Sequence, residues 1–266
     1  MKVAFIGGGT MGEAILSAII ERKVATKNDI TVSDISQTRL DYLKQKYAVK
    51  VTTSNPDAVT GSDVIIFAIK PQNIKDVLPG LKDRLKTGQL VLSIIAGTRI
   101  AGLRNGLAHS QIVKTMPNTP AQIGEGMTVW VATPEVTSEQ KAQAKAILGV
   151  MGKEIYVSDE GYLDMVTAVS GSGPAYVFLF MEALLSAAEK IGLPADMAKT
   201  LVFQTVLGSA HFAEKSDKTL AELRKMVTSP GGTTAEALAR FEQGNFTELV
   251  YKAILAAYNK SKALGG

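Results

Sequence analysis

Two glycine-centred segments of this chain have the residue types and spacing to hold small anions. The first, Thr228-Ser-Pro-Gly-Gly-Thr-Thr234, lies between two helical patterns. Pro230 stops the helix before it. Gly231 and Gly232 let the backbone pass close to a ligand, and Thr233 or Thr234 is placed to cap the helix that runs through Glu236 to Glu242. Such a turn offers free N–H groups and hydroxyls at the positive end of a helix dipole, which suits a small carboxylate. A plain Pro-Gly turn has the same composition. The second segment, Val3-Ala-Phe-Ile-Gly-Gly-Gly-Thr-Met-Gly12, runs from a strand pattern through Gly7-x-Gly9-x-x-Gly12 into a helical one. Gly7 permits the tight turn, Gly9 admits a pyrophosphate to the backbone, and Gly12 lets the helix pack on the strand. With a strand before it and a helix after it, this spacing predicts a dinucleotide site.

Further candidates fall at the ends of other strands. Asp34 follows the second strand, where an acid accepts from a ribose 2′-OH and favours NAD. It is equally placed to cap the next helix. Ser33 and Ser36 can bond a 2′-phosphate instead, so these residues leave NADH and NADPH both open. Ala68-Ile-Lys-Pro71 ends a strand, and ligands of open α/β sheets bind beyond the carboxyl ends of strands, which puts Lys70 near a cofactor or substrate. The backbone of Ser93-Ile-Ile-Ala-Gly97 is expected to line the nicotinamide pocket. The two histidines, His109 and His211, belong to no recognisable catalytic group. No metal-ligand spacing stands out, and Gly171-Ser-Gly173 is no nucleophile elbow because residue 175 is Ala.

The elements that must position these residues alternate through the first half of the chain. Strand patterns at Val3–Ile6, Ile30–Ser33, Val64–Ile69, Leu90–Ile94 and Ile112–Thr115 are separated by helical ones at Met11–Arg22, Gln37–Lys46, Pro71–Val77 and Ile100–Gly106. That alternation predicts a doubly wound, parallel α/β sheet. Strands at Met127–Ala132 and Glu154–Val157 flank a helix at Ser138–Met151. From Asp159 onward the pattern is helical: Tyr162–Ser170, Ala175–Ile191, Pro194–Lys215, Thr219–Val227, Thr233–Gln243 and Phe246–Ala263. The reading is therefore a Rossmann-type domain over residues 1–158 and an all-α domain over residues 159–266. Ala175–Ala188 is apolar almost all round, so it must be buried on most sides. A helical domain of this size has little capacity to bury it alone, which predicts a homodimer built on these helices.

Composition narrows the function classes. Apolar residues make up 46% and charged residues 20% of 266, which describes a folded protein. The absence of cysteine excludes disulfide scaffolds and thiolate chemistry and fits a reducing compartment, hence a cytoplasmic location. The net charge of +4 is spread out, with no dense basic run for nucleic acid. The glycines and Glu13 within residues 1–20 argue against a signal peptide, and no long uninterrupted apolar stretch predicts a membrane span.

The chain resembles the pyrroline-5-carboxylate reductase family. The matching segments are Gly7–Gly12, Ala68-Ile-Lys-Pro-Gln72, Met116-Pro-Asn-Thr-Pro120, Ser170-Gly-Ser-Gly-Pro-Ala-Tyr176 and Val227-Thr-Ser-Pro-Gly-Gly-Thr-Thr234, spread in order over nearly the whole chain. The resemblance implies reduction of Δ1-pyrroline-5-carboxylate to L-proline by NADPH or NADH. It implies dimers through the C-terminal helices as the basic unit, with larger rings of dimers in some members. It also implies that Ser229, with the backbone of Gly232 and Thr233, holds the substrate carboxylate, and that the Thr234 hydroxyl faces the imine nitrogen. On the same grounds Asn55 touches the ribose or adenine side of the cofactor. Ile6, Gly7, Gly8, Gly9, Thr10 and Met11, then Ala68, Ile69, Lys70 and Pro71, then Ile94, Ile95 and Ala96 complete the cofactor site. Asp34 departs from the basic or small polar residue many members carry there. A reductase of β-hydroxyacids would rely on a lysine in the helical domain, yet Lys190 and Lys199 stand in no matching motif. A non-catalytic NAD(P) sensor would need no second small-anion pocket.

Overall fold

The computed structural model describes residues 1–265. Contacts divide them into two compact units, Met1–Ser172 together with the chain from Ala257 onward, and Gly173–Ala256.

The first unit is built on an eight-stranded sheet in the order β3-β2-β1-β4-β5-β6-β7-β8. The strands are β1 (Val3–Ile6), β2 (Ile30–Ser33), β3 (Lys50–Thr52), β4 (Val64–Phe67), β5 (Leu90–Ser93), β6 (Ile112–Met116), β7 (Gly126–Ala132) and β8 (Gly152–Tyr156). Its helices are α1 (Thr10–Glu21), α2 (Gln37–Tyr47), α3 (Asn55–Val59), α4 (Ile74–Leu81), α5 (Ile100–Leu107), α6 (Ser138–Gly149) and α7 (Tyr162–Val166). Every residue of β1 is buried because both faces of the sheet are covered. Successive side chains point to opposite faces. Val3 and Phe5 therefore join Ile15, Leu16 and Ile19 of α1, while Ala4 and Ile6 join Leu81, Leu103 and Leu107 of α4 and α5.

The doubly wound expectation holds, with two additions. Strand β7 runs antiparallel to β6, so the sheet is mixed at that side. Strand β3 and the short α3 were not legible, since three residues reading Lys-Val-Thr carry no usable period. Strands end at Tyr156, but Leu163 packs with Val129 and Val131, which is why the first helical turns after residue 158 cluster with the sheet. Gly173 has no described atom within 4 Å of the place a Cβ would take. The tight position is Gly171, where a Cβ would meet Met116 Cε at 2.5 Å.

The second unit holds α8 (Gly173–Lys190), α9 (Ala195–Lys215), α10 (Leu220–Met226), α11 (Thr233–Gln243) and most of α12 (Phe246–Gly265). No residue of α8 is buried within this single chain, and Leu179 is 67% exposed. The apolar helix that must be covered is thus uncovered by its own chain. The helical run Tyr162–Lys190 is also long and apolar enough to cross a membrane by length and composition, against the sequence expectation. A continuous run of helix joins two apolar stretches that the Gly-Ser-Gly-Pro segment separates in sequence.

Candidate active site

In the first unit, the glycine loop sits where β1 gives way to α1. Gly7 has φ +99, which favours glycine, and a Cβ there would lie 2.7 Å from Ala68 O and 2.9 Å from Ile69 Cγ2. A Cβ on Gly12 would lie 2.6 Å from Gly7 O, so the helix can seat on the strand only without one. Gly9 behaves differently: no described atom lies within 4 Å of a Cβ there, and the residue is exposed. Gly9 is also the N-cap of α1, and no described side chain caps that helix. Free N–H groups of the first turn therefore open onto clear space, the requirement for a pyrophosphate at a helix N-terminus. The residues present fit a dinucleotide.

Asp34 is already engaged. Its carboxylate accepts from the Gly8 N–H at 2.8 Å and from the Ser36 N–H at 2.9 Å. The cap of α2 is Ser36, whose hydroxyl accepts from Arg39 N at 3.3 Å, so the capping role considered for Asp34 falls to its neighbour. Arg39 reaches back from α2 to Gly8 O and to Glu13, bringing a cation to the loop that sequence position alone did not. Glu13 also accepts from Lys46, Tyr42 and Tyr47. Burial pushes its carboxyl up, but the hydrogen bonds of Lys46, Tyr47 and Arg39 and the Arg39 charge outweigh this and hold it at about 2. Ser33 is fully buried and donates to Asn55 Oδ1 at 2.6 Å and to Phe5 O at 3.2 Å. Its hydroxyl is thereby turned to orienting Asn55 rather than to an open face.

Strands β1, β4 and β5 are neighbours, so their carboxyl ends bring Gly7, Ala68 and Ile94 side by side. Ala68 N donates to Ile6 O at 2.8 Å, and Ile94 N to Phe67 O at 3.1 Å. Ile69 is half-buried, and Lys70 is exposed ahead of a 3-10 turn that starts at Pro71. Ile95 is 1% exposed, which leaves its backbone, not its side chain, for lining a ligand. Thr10 and Met11 open α1, with Thr10 exposed. His109 is buried with Nε2 at 2.8 Å from Gln89 O; burial lowers its pKa, with the carbonyl working against that, which marks a core histidine. The Met116–Pro120 and Ser170 segments, far apart in sequence, meet here: Asn118 Nδ2 donates to Ser170 Oγ at 3.3 Å, and its Oδ1 accepts from Met127 N at 2.9 Å.

In the second unit, the predicted anion loop joins α10 to α11. Gly231 has φ +69, and Gly232 N donates to Ser229 O at 3.0 Å, closing the turn. The N-cap of α11 is Gly232, not Thr233 or Thr234, and no described side chain caps the helix. Thr233 and Thr234 are instead its first two residues, with their N–H groups unclaimed by the helix itself. Ser229 and Gly231 are exposed and Thr234 half-buried. The side chains whose place at a site sequence reading missed are Glu13 beside the glycine loop, and Arg99, Lys114, Glu160 and Asp164 beyond β5. Lys114 carried a signal, a lysine inside an otherwise buried strand reading Ile-Val-Lys-Thr-Met.

Two family models match parts of the chain, with bounds that differ from those of the two units. Residues 160–264 match the family model described as pyrroline-5-carboxylate reductase dimerisation, and residues 2–97 match that of an NADP oxidoreductase, coenzyme F420-dependent. A pyrroline-5-carboxylate reductase of Synechocystis sp. is 40% identical over 100% of this chain and 98% of its own length. That of Pseudomonas aeruginosa is 39% identical over 99% of this chain and 96% of its own. Among solved structures, a pyrroline-5-carboxylate reductase from Coxiella burnetii superposes with a TM-score of 0.91 at 40% identity, covering 100% of this chain and 98% of the other. The Plasmodium falciparum pyrroline carboxylate reductase with NADP bound gives 0.91 at 34% identity with the same coverage.

Proposed function

This chain belongs to the pyrroline-5-carboxylate reductase family, and we propose that the two glycine-centred loops carry its reaction between them by separate tasks, one holding the cofactor and the other the substrate carboxylate. The protein reduces Δ1-pyrroline-5-carboxylate to L-proline with NADPH or NADH, the last step of proline biosynthesis. The observation that carries the division of tasks is the entry to α11. After Gly231 at φ +69, the helix starts at an uncapped Gly232, so its first-turn N–H groups and the Ser229 and Thr233 positions are free for a carboxylate.

Reduced nicotinamide, when bound, supplies the hydride. The chain's own residues bind and orient. Gly7, Gly8, Gly9, Thr10 and Met11 hold the pyrophosphate, with Gly9 giving it room. Asp34 and Asn55, the latter oriented by the buried Ser33, set the adenosine side, and Ala68 to Pro71 with the backbone of Ile94 to Ala96 set the nicotinamide side. Lys70 offers a positive charge near negative groups. A protonated cyclic imine needs no stronger acid to accept hydride, so the Thr234 hydroxyl steers the nitrogen rather than protonating it. Orientation of this kind supplies several kcal/mol of barrier reduction.

The chain forms homo-oligomers through its dimerisation region. In our reading the basic unit is a dimer in which the apolar faces of α8 and its neighbours meet a second copy, which gives the membrane-length apolar run a protein partner. The functional boundary falls near residue 158, close to the start of the dimerisation match at 160. Kinship with metabolic reductases and the lack of cysteine support a cytoplasmic enzyme that acts on a small molecule, without nucleic acid or membrane. Substrate-dependent loss of reduced-cofactor absorbance tests the reaction, and Thr234→Ala tests the loop.

A further inference from the structure

A balanced cluster of four charges lies beyond the carboxyl end of β5, within the first unit, and the reaction as described does not use it. Arg99 donates to Asp164 Oδ2 at 2.8 Å and to Gly265 O at 3.2 Å. Ser261 donates to Asp164 Oδ1 at 2.7 Å. Glu160 accepts from Ile100 N at 2.8 Å, and Lys114 Nζ lies 3.9 Å from Glu160 while donating to Thr98 O. Three consecutive residues, Thr98, Arg99 and Ile100, are thus each held at a separate point. One residue earlier, Gly97 has φ +70, and a Cβ on it would lie 3.1 Å from Leu264 Cβ.

Two facts argue that this cluster positions backbone rather than binding a ligand or adding stability. The space among Ala96, Gly97, Arg99, Lys114 and Asp164 is about 10 Å³, room for no more than a single water. Each pair has one buried partner, Asp164 or Lys114, whose desolvation offsets much of the attraction, so the pairs are poor sources of stability. Lys114 illustrates the cost: burial lowers its pKa, with Glu160 opposing and Arg99 adding to the effect.

The segment held is the direct continuation of Ile94–Ala96. We propose that Arg99, Asp164 and Ser261 are positioning residues that clamp the Gly97–Ile100 segment against the last turns of α12 and so fix the nicotinamide-lining backbone. This rests on the reading given above that Ile94–Ala96 line the nicotinamide.

The test uses the full chain and two probes, NADPH and ADP-ribose, which lacks the nicotinamide. Arg99→Ala and Asp164→Asn should weaken NADPH binding and lower kcat, each by about tenfold, while ADP-ribose binding stays unchanged. Ser261→Ala, which removes one hydroxyl and leaves the ion pair, should show the same pattern at about threefold and serves if the charge variants fail to fold. Arg99→Lys should recover part of the loss, since one of the two contacts can still be made. Equal loss of both probes would mean a general structural role, and no loss of either would mean no role; both results overturn the clamp. Ala96→Leu, made alongside, separates the two readings. If it leaves NADPH binding intact, the lining assignment falls and the clamp with it. If it weakens NADPH and the clamp variants do not, the clamp alone falls.

Discussion

Asp34 accepts a hydrogen bond from the Gly8 N–H at 2.8 Å across 26 residues of sequence, so the acid at the end of β2 is also a structural part of the glycine loop. Its other oxygen takes the Ser36 N–H. Replacing it therefore loosens the loop whichever cofactor is used. Asp34→Asn should raise the dissociation constants of NADH and NADPH together, by about three- to tenfold, because an amide presents a donor where one N–H needs an acceptor. Fluorescence titration with each cofactor checks this. A gain for NADPH alone would return Asp34 to a purely selective role.

The glycines of the loop should separate fold from binding. A Cβ at Gly12 would collide with Gly7 O at 2.6 Å, so Gly12→Ala should lower both thermal stability and cofactor affinity. A Cβ at Gly9 meets no described atom within 4 Å, so Gly9→Ala should leave the melting temperature close to wild type and still weaken NADPH by about tenfold or more, because the methyl occupies the phosphate's space. Unchanged affinity in Gly9→Ala would remove the pyrophosphate from that position.

Thr234→Ala should lower turnover or raise the KM for the imine while sparing NADPH binding, with a loss of about tenfold expected for one oriented hydroxyl. Steady-state kinetics set beside cofactor titration check it. Wild-type kinetics would remove Thr234 from the reaction.

Acid sensitivity should centre in part on Glu13. Its folded-state pKa of about 2 lies below the ordinary 4.5, so its contribution is fully present above about pH 4.5 and is lost as pH falls toward 2. The Glu13 side chain is 17% exposed, and the shift corresponds to about 3 kcal/mol at most. Glu13→Gln should be less stable than wild type near neutrality, and the two should converge as the pH is lowered through that window. Urea unfolding over a pH series measures this; a constant gap would refute it.

Much of this was legible in the residues, for reasons that differ by element. The glycine loop and β1 read clearly because an all-buried strand leads straight into a fixed spacing. Thr233–Gln243 was read to the residue because Pro230 and two glycines isolate it, although its cap proved to be Gly232 rather than a threonine. Lys50–Thr52 was missed because a short polar strand gains its conformation from pairing with β2, not from its own pattern. The Arg99–Asp164 pair could not be read at all: its partners stand 65 residues apart, and only the fold brings them together. The uncovered α8 followed from composition, since a helix apolar all round cannot stay in water.

The most direct measurement is oxidation of NADPH and of NADH by the purified protein with Δ1-pyrroline-5-carboxylate, with proline quantified as product. The account predicts cofactor loss that depends on the imine and is matched mole for mole by proline. Folded oligomer that binds NADPH yet oxidises neither cofactor and yields no proline would contradict it.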